Sequence, residues 1–317
     1  MDEPINMREY ADKVIDLTNI GYELGFYFNN CGNFSMLPMP NGDWFCCFRI
    51  FGYWIDSIGR YLTSEQLRLH HPDLHQFCVL DRDFNFVRKV DCVESTYYKH
   101  PDYANELPYL EDGRLVAWNG NWYISTCVVY QENLQWKHFG LELQRLTWED
   151  GNIHARHCWN SIECGIQGRH KNWLPVPDRP FNFIVGTSRH GAQVIDISKN
   201  TLTNIGATSK GEFYRGNTPL VKTDEGYVAI GHVVLPPSPE RPIKTYYNHL
   251  VTYSNDLCPV SISKPFKLTD SPIEFVTTMN EMPDNRIAIG VTAMDETPYV
   301  LVFDKKRLAT GVNGVRG

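Results

Sequence analysis

Two adjacent carboxylates and a cation stand at the start of one hairpin-like stretch of this chain. The stretch YLEDGRLVAWNGNWYIS, residues 109–125, places Glu111, Asp112 and Arg114 before an Asn-Gly pair that is typical of a two-residue turn. A carboxyl group in such a place can move a proton to or from a leaving oxygen, and an arginine can hold a polar or anionic substrate. Because neighbouring strand residues point to opposite faces, we expect only one of the two carboxylates to face the site.

Polar side chains recur around four further hairpin starts. The set carries four lysine or arginine side chains, Arg114 included, in a chain whose formal net charge is −7. A cationic group inside an acidic protein indicates an anionic ligand such as phosphate or diphosphate. The further candidates are Asn33 and Arg49 around the first hairpin, Lys171 and Asn172, then Arg215, Asn217 and Thr218 with His232 on the next strand, and Glu274.

The elements that must position these residues are short strands. Runs such as Trp44–Gly52, Phe181–Thr187 and Tyr227–Leu235 alternate or are continuously apolar, and turn pairs separate them. The polar starts lie roughly 45 to 80 residues apart, and a propeller blade takes about 40–50 residues before loop insertions. The sequence therefore predicts an all-β fold, a five-bladed β-propeller with polar first strands along a central channel. We expect one catalytic domain over residues 1–317, with residues 1–28 as an N-terminal extension that is helical from about Met7 to Leu24.

The composition excludes several classes of protein. The acidic charge disfavours nucleic-acid binding, because nonspecific contacts to phosphate backbones need a basic surface. No basic leader followed by an apolar segment is visible at the N-terminus, and no apolar run is long enough to span a bilayer. Nine cysteines without paired spacing indicate reduced thiols, so we expect a cytoplasmic protein. No cofactor is implied, and the His154–Cys158 segment lacks partners with the spacing of a zinc site.

Taken together, the motifs resemble those of the five-bladed β-propeller mannoside phosphorylases and hydrolases of glycoside hydrolase family 130, and of the related β-1,2-mannosyltransferase/phosphorylase proteins. That family has Glu-Asp-Pro-Arg at a blade start, where this chain reads Glu111-Asp112-Gly113-Arg114. The resemblance covers roughly residues 30 to 295, and the order of the motifs is more specific than any one of them. The other motifs that carry it are Asn33-Phe34-Ser35, Arg49, Lys171–Pro175, Arg215–Val234 and Pro272–Val276.

The resemblance implies a role for each matching residue. Asp112 would donate or accept the proton of the glycosidic oxygen. The reacting sugar would be held by Asn33, Arg49 and Arg114, and a phosphate group would face Lys171, Arg215 and His232. Further substrate-binding candidates at the blade starts are Glu111, Asn172, Asn217, Thr218 and Glu274.

Three departures from the family pattern leave these functional groups in place. Gly113 and Phe34 each stand where the family has Pro, and Asn217 stands where Gly is common. The first two alter the local backbone, and the third narrows the pocket. A simpler reading also stands beside each role, since Asp112 could cap a turn, single cations are usually solvated, and His232 could be a hydrogen-bonded core residue.

Three functions follow from this resemblance and remain open at the level of sequence. The first is inverting glycosyl transfer to or from phosphate, or from a sugar phosphate or nucleotide sugar donor to an oligosaccharide acceptor, with β-mannosides as the substrate class. The second is a hydrolase on the same scaffold, in which Glu274 or Asp295 would activate water. The third is a carbohydrate-binding propeller without catalysis, because a fold alone does not establish activity.

Overall fold

A computed structural model describes residues 3–26, 31–51, 53–56, 61–62, 74–98, 109–132, 135–166, 172–206 and 214–312. The regular secondary structure of the described residues is almost entirely β-strand, as the sequence predicts. The helical elements are a 3₁₀ helix at Met7–Tyr10, α1 at Ile20–Glu23 and α2 at Lys305–Val312.

The strands follow one another along the whole described chain. The first nine are β1 (Ile5–Asn6), β2 (Lys13–Asp16), β3 (Cys31–Pro38), β4 (Trp44–Ile50), β5 (Trp54–Ile55), β6 (Tyr61–Leu62), β7 (Leu74–Leu80), β8 (Phe86–Val90) and β9 (Cys92–Ser95). The next eight are β10 (Tyr109–Trp118), β11 (Asn121–Glu132), β12 (Gln135–Glu149), β13 (Asn152–Asn160), β14 (Leu174–Pro175), β15 (Asn182–Ser188), β16 (Gly191–Asp196) and β17 (Thr201–Gly206). The last nine are β18 (Arg215–Gly216), β19 (Val221–Thr223), β20 (Gly226–Leu235), β21 (Thr245–Ser254), β22 (Pro259–Ile262), β23 (Phe266–Lys267), β24 (Glu274–Met282), β25 (Arg286–Ala293) and β26 (Thr297–Asp304).

These strands form sheets that we number in chain order. Sheet I has the order β3-β4-β7-β8, sheet II β10-β11-β12-β13-β9, and sheet III β14-β15-β16-β17. Sheet IV contains β1 and β18 to β23, and sheet V has the order β2-β26-β25-β24. Two short strands, β5 and β6, pair with each other. Most pairs are antiparallel, and the parallel exceptions are β9 with β13 and β1 with β23.

The sheets adopt a β-propeller arrangement, but the ring counts four blades and not the five that the sequence predicts. The predicted number was therefore wrong. It came from counting polar segments that precede hairpins, and such a segment marks the start of a sheet. Whether that sheet takes a place in the ring depends on its contacts with other sheets, which the local sequence does not encode. The first strands β3, β10 and β24 do lie against one another, as the first strands of a ring should.

The prediction of a helix from Met7 to Leu24 was wrong over most of its length. Lys13–Asp16 forms β2 and pairs antiparallel with β26, which adds a strand to the edge of sheet V. Ile5–Asn6 pairs with β23 of sheet IV. Without these pairs, the outer edges of β26 and β23 would leave backbone N–H and C=O groups unpaired. The N-terminal segment supplies partners for those groups, and this tertiary contact overrides its local helical pattern. The N-terminal segment thus fastens two sheets to each other.

Apolar side chains between the sheets hold the first strands in place. One core cluster lies between sheets I and II around Phe45, whose ring stacks on those of Phe77 at 5.5 Å and Trp122 at 5.0 Å. Burying a phenylalanine side chain of this kind contributes about 1.5–3 kcal/mol. The cluster includes Leu115 of β10, and so it fixes the strand that carries Asp112.

None of the helices in the described ranges is both long and apolar enough to cross a lipid bilayer.

Candidate active site

Asp112 lies in a β-bulge near the start of β10. The register of β10 against β11 shifts between Glu111 and Arg114, and Asp112 has a φ of 50°. This left-handed conformation is tolerated by Asp and Asn better than by other residues with a side chain. Bulges redirect side chains and are frequent next to active sites. The side chain is nearly inaccessible, with Asp112 only 1% exposed, so its carboxylate needs partners within the protein.

The principal partner of Asp112 is Arg49, at the end of β4 in the neighbouring sheet. Arg49 Nη1 lies 2.9 Å from Asp112 Oδ1, and Arg49 Nη2 lies 3.2 Å from Glu111 Oε1. The guanidinium also lies over the ring of Phe51, 4.7 Å from its centroid. One arginine therefore holds two consecutive carboxylates through separate nitrogen atoms.

The contact between Arg49 and Glu111 contradicts the expectation that only one of the two acids faces the site. Strict alternation applies to a regular strand, and the bulge interrupts it between Glu111 and Arg114. Both carboxylates consequently reach the same guanidinium.

Asn33 approaches Asp112 from a second bulge, in β3. The register of β3 against β4 shifts between Gly32 and Ser35, and Asn33 has a φ of 40°. Its Nδ2 donates to Asp112 Oδ1 at 3.0 Å, and its backbone N–H donates to Thr292 Oγ1 at 2.7 Å. The hydrogen bond that Asn33 donates to Thr292 of sheet V thus fixes the backbone from which its side-chain amide reaches the carboxylate.

Arg114 makes all its hydrogen bonds to neutral groups. Its Nη1 donates to the carbonyl of Asp112 at 2.8 Å and its Nε to the carbonyl of Asn217 at 2.6 Å. Its Nη2 donates to Asn172 Oδ1 at 3.1 Å. Burial lowers the pKa of this guanidinium. The structure therefore brings three of the predicted site residues, Arg114, Asn172 and Asn217, into one buried cluster.

Glu274 is buried at the start of β24 and is fully engaged with the protein. Its carboxylate accepts hydrogen bonds from the backbone N–H of Leu268 at 2.9 Å, from that of Thr269 at 2.8 Å and from Thr269 Oγ1 at 2.7 Å. Asn248 Nδ2 adds a fourth bond at 2.5 Å, and Lys267 Nζ lies 3.8 Å away. Burial raises the pKa of Glu274. These contacts tie the carboxylate to the loop before its own strand, and the role in substrate binding predicted for Glu274 stays a prediction.

Thr218 is likewise buried and engaged, since its Oγ1 accepts from the backbone N–H of Ile230 at 3.0 Å. The role in substrate binding predicted for Thr218 stays a prediction.

The predicted phosphate-binding residues are spread over exposed and buried positions. Arg215 on β18 pairs in register with His232 on β20, and Arg215 is exposed whereas His232 is buried. The His232 ring stacks on Tyr246 at 5.5 Å and meets the ring of Phe275 edge-on at 5.4 Å. Lys171 lies outside the described residues.

Asp295 adds a third carboxylate near Arg49 and Asp112. It lies in the turn between β25 and β26, and Tyr53 Oη donates to its Oδ2 at 3.0 Å. Burial raises the pKa of Asp295, and the charge of Asp112 acts in the same direction. The cations Arg49 and Lys244 and the bond from Tyr53 act in the opposite direction. An acid whose pKa is raised toward neutrality is suited to transferring protons.

Sequence reasoning missed three residues of this region. Tyr53 and Lys244 lie in loops at the Asp295 side, and Lys244 Nζ lies 5.7 Å from the ring centroid of Tyr246. The third, His75, pairs in register with Arg49. No local motif marks these residues, and only the pairing of β7 with β4 could have identified His75.

His75 packs beneath the bulge that carries Asp112. Burial, and after it the charge of Arg49, lowers the pKa of His75 to about 3, so the imidazole is neutral at ordinary pH. A Cβ at Gly113 would lie 3.0 Å from His75 Nε2 and 2.9 Å from Ile124 Cδ1. The glycine that departs from the family motif is therefore the residue that makes room for His75.

The histidines of the His154–Cys158 segment lie apart from this site, on β13. His157 Nδ1 contacts the buried Glu142 Oε1 at 2.5 Å, and its Nε2 contacts Glu163 at 3.2 Å. Hydrogen bonding to Glu142 raises the pKa of His157. Within the described ranges, no cluster of three or more His, Cys, Asp or Glu side chains is arranged to hold a metal ion.

Comparison with known proteins identifies solved structures that are similar to this chain in fold. No family model matches the chain, and no curated protein matches its sequence. Among solved structures, a glycosyl hydrolase from Bacteroides ovatus gives a TM-score of 0.57 at 14% identity, over 87% of this chain and 84% of the other. Another similar structure comes from glycoside hydrolase family 130. This family of mannoside phosphorylases contains hydrolases that target β-1,2 mannosidic linkages in Candida mannan. That structure gives a TM-score of 0.57 at 11% identity, with 87% and 84% coverage.

A third similar structure is a mannose phosphorylase from Leishmania mexicana in complex with a phosphate ion. Its TM-score is 0.54 at 9% identity, over 98% of this chain and 90% of the other. At these identities the likeness concerns the fold. At the level of the fold, it confirms the resemblance to mannoside phosphorylases that the motifs predict.

Proposed function

We propose that this protein is a carbohydrate-active enzyme that transfers a glycosyl group, with inversion, between a sugar oxygen and phosphate or a phosphate-activated donor. The β-mannosides are the substrate class, and the propeller acts as one catalytic domain. The observation that carries the proposal is the Asp112 carboxylate, which is held in a left-handed bulge by Arg49 at 2.9 Å and by Asn33 at 3.0 Å. A buried carboxylate that is held in a left-handed backbone conformation and paired with an arginine is a candidate for catalysis.

In the proposed reaction Asp112 protonates the glycosidic oxygen as it leaves and, in the synthetic direction, takes the proton from the attacking hydroxyl. Inversion needs one acid and one nucleophile on opposite faces of the sugar. Phosphate would be that nucleophile, held by Lys171, Arg215 and His232. The sugar would be oriented by Asn33, Arg49 and Glu111, which are the groups around the Asp112 carboxylate.

We assign the remaining candidates a structural role around the site. Asn172, Asn217, Thr218 and Glu274 spend hydrogen-bonding atoms on other parts of the protein. The known enzymes with this fold support a reaction at a sugar, and the phosphate bound to the Leishmania mexicana phosphorylase supports phosphate as co-substrate.

The test is product detection by chromatography and mass spectrometry. Purified protein is incubated with manno-oligosaccharides and either mannose 1-phosphate, GDP-mannose or inorganic phosphate. We expect chain extension with release of phosphate or nucleotide, or shortening with formation of mannose 1-phosphate.

The matched control is Asp112→Asn, which keeps the side-chain shape and tolerates the left-handed backbone. Product that disappears in this variant supports the assignment of Asp112. The absence of product from all of these donors and acceptors would overturn the mannosyl assignment.

A second candidate function is hydrolysis on the same scaffold, and the position of Asp295 favours it. This carboxyl group lies near Arg49 and Asp112, has a raised pKa and keeps one hydrogen bond from Tyr53. It is better placed to activate water than Glu274, whose oxygens are occupied by four donors. Release of free mannose without phosphate, lost in both Asp112→Asn and Asp295→Asn, would identify a hydrolase.

A carbohydrate-binding propeller without catalysis remains the third reading. It predicts that glycan binding persists in Asp112→Asn and that the wild-type protein turns over no glycoside.

A further inference from the structure

We propose that Arg114 is a positioning residue, which holds the backbone of the Asp112 bulge and ties neighbouring sheets around it, and not a ligand of the sugar. This inference rests on the proposed function, because it assigns Arg114 a task in aiming the catalytic carboxylate. It also changes the interpretation of the Glu-Asp-Gly-Arg motif, in which the acid and the arginine would otherwise both meet substrate.

The first argument is the bond that Arg114 makes within its own strand. Its Nη1 donates to the carbonyl oxygen of Asp112, two residues earlier, at 2.8 Å. That carbonyl belongs to the residue with a φ of 50°, at the point where the ladder between β10 and β11 is interrupted. An interrupted ladder leaves backbone groups that need other partners. Arg114 supplies one such partner and so constrains the direction of the Asp112 side chain.

The second argument is that Arg114 joins three separate segments. While Nη1 binds sheet II, Nη2 binds the side chain of Asn172 ahead of sheet III, and Nε binds the carbonyl of Asn217 in the connection between β18 and β19 of sheet IV. Each of its three nitrogen atoms therefore contacts a different segment. A planar guanidinium whose donors are fixed in a fork is well suited to such a junction.

The third argument is the continuation of this junction through buried amides. Asn217 Nδ2 donates to Asn248 Oδ1 at 3.4 Å, and Asn248 Nδ2 donates to Glu274 Oε1 at 2.5 Å. Glu274 begins β24 of sheet V, so the chain of contacts runs from the Asp112 carbonyl to a fourth sheet. Through these buried bonds Arg114 is connected to groups of sheets II, III, IV and V.

The fourth argument is the chemistry of the acceptors, since Arg114 and Arg49 are equally buried, at 3% and 2% exposure. The acceptors of Arg114 are two backbone carbonyls and one amide oxygen. Arg49 differs, because two of its nitrogens face the carboxylates of Asp112 and Glu111 at the reacting site. The two arginines therefore have different roles. Arg49 contacts the carboxylate of the proposed catalytic acid, and Arg114 contacts the backbone that carries it.

The experiment compares Arg114→Lys with wild-type protein in steady-state kinetics. Lysine keeps the charge but cannot make three bonds in one plane. We expect kcat to fall by about 10–100-fold, because small misplacement of a reacting group is costly, while KM for donor and acceptor stays within about threefold. A rise in KM with kcat retained would show that Arg114 binds substrate and would overturn the proposal.

A milder variant keeps the test valid if Arg114→Lys folds poorly. Asn172→Gly removes only the acceptor of Nη2 and retains a residue that tolerates the φ of 67° at this position. We expect a smaller loss of kcat, about three- to tenfold, again with KM preserved. A variant with unchanged kcat and KM would contradict the junction.

Amide hydrogen exchange separates this inference from the proposed function. In Arg114→Lys, exchange should accelerate in residues 110–116, whereas the control Arg145→Lys, which removes an exposed contact to Asn121 on the same sheet, should leave them unchanged. This readout does not require turnover. Unchanged exchange around the bulge overturns the positioning role even if the enzyme is active. Accelerated exchange in a protein that turns over no glycoside supports the role and rejects the proposed reaction.

Discussion

Two carboxylates at the starts of first strands, Asp112 in sheet II and Glu274 in sheet V, differ in their partners and not in their burial. Both are almost completely inaccessible, at 1% and 0% exposure. Asp112 is held by an arginine and an amide from another sheet. Glu274 receives donors mainly from the loop directly before its own strand. The contacts of Glu274 therefore stabilise the start of its own strand. The contacts of Asp112 bring side chains of sheet I and sheet II together.

The comparison shows that position at a blade start does not determine how a carboxylate is held. The backbone distinguishes the two acids, because Asp112 occupies a left-handed bulge. Strained conformations of this kind persist where surrounding contacts determine them, and such places are often functional. The predictions that follow test how far this difference between Asp112 and Glu274 extends.

The largest expected effect is the loss of turnover in Asp112→Asn. The amide retains the shape of the side chain but cannot exchange a proton, so we expect the rate to fall by about 10²–10⁴-fold. The measurement is the initial rate of product formation under saturating donor and acceptor. A loss of less than tenfold would mean that Asp112 is no more catalytic than Glu274.

The next effect is on stability, in Arg49→Met. Removing the guanidinium deprives the buried Asp112 carboxylate and its neighbour Glu111 of the cation that both contact, and we expect the free energy of unfolding to fall by about 3–5 kcal/mol. Denaturant titration measures it. The control Arg286→Met removes an exposed pair with Asp284 and should cost less than about 1 kcal/mol. Equal losses in the two variants would contradict the buried pairing.

A smaller effect is expected in Glu274→Gln. The amide would present N–H groups to the donors of Thr269, so we expect the free energy of unfolding to fall by about 1–3 kcal/mol. Turnover should fall far less than in Asp112→Asn. If the two variants lost activity equally, the distinction between a structural and a catalytic carboxylate would fail.

The packing beneath Asp112 predicts a comparable effect in Gly113→Ala. The added Cβ would meet His75 Nε2 at 3.0 Å and Ile124 Cδ1 at 2.9 Å. Overpacking of this kind costs about 1–3 kcal/mol. The double variant with His75→Ala should recover part of this loss, by about 0.5 kcal/mol or more, because the two sites are in contact. Strict additivity of the two changes would show that His75 is not the obstacle.

The smallest expected effect is a pH dependence of the free energy of unfolding that comes from Asp295. Its pKa in the folded protein is raised by burial above the value in the unfolded chain. Its contribution to stability is therefore fully present below the unfolded pKa and is lost as pH rises through the raised pKa. Asp295→Asn removes this titration, so its unfolding free energy relative to wild type should increase as pH rises above about 4, the usual pKa of an aspartate in an unfolded chain. A difference that stays constant with pH would contradict the raised pKa.

Much of the site could be predicted because residue type and order mark it. Asn33, Arg49 and Asp112 were singled out from the sequence, and the structure brings their side chains into contact. The strand expected at Tyr227–Leu235 is confirmed by β20 at Gly226–Leu235. These residues were recognisable because turns, apolar runs and polar starts are local signals.

Other features depended on contacts that no local pattern contains. The bulge at Asp112 turned both acids toward Arg49, against the alternation expected of a strand. His75 reached the site through the pairing of β7 with β4, across a long connection. The segment Lys13–Asp16 became a strand because sheet V offered it an edge.

The amino-acid sequence by itself determined the class of fold, the candidate site residues and their order along the chain. Alternating apolar residues specify strands, and charge and residue type specify chemistry, wherever the chain folds. The tertiary structure alone decided the number of blades in the ring, the direction of each carboxylate and the groups that Arg49 and Arg114 contact. The physical reason is that these properties depend on which groups meet across sheets, since a buried charge takes its role from the partners that surround it.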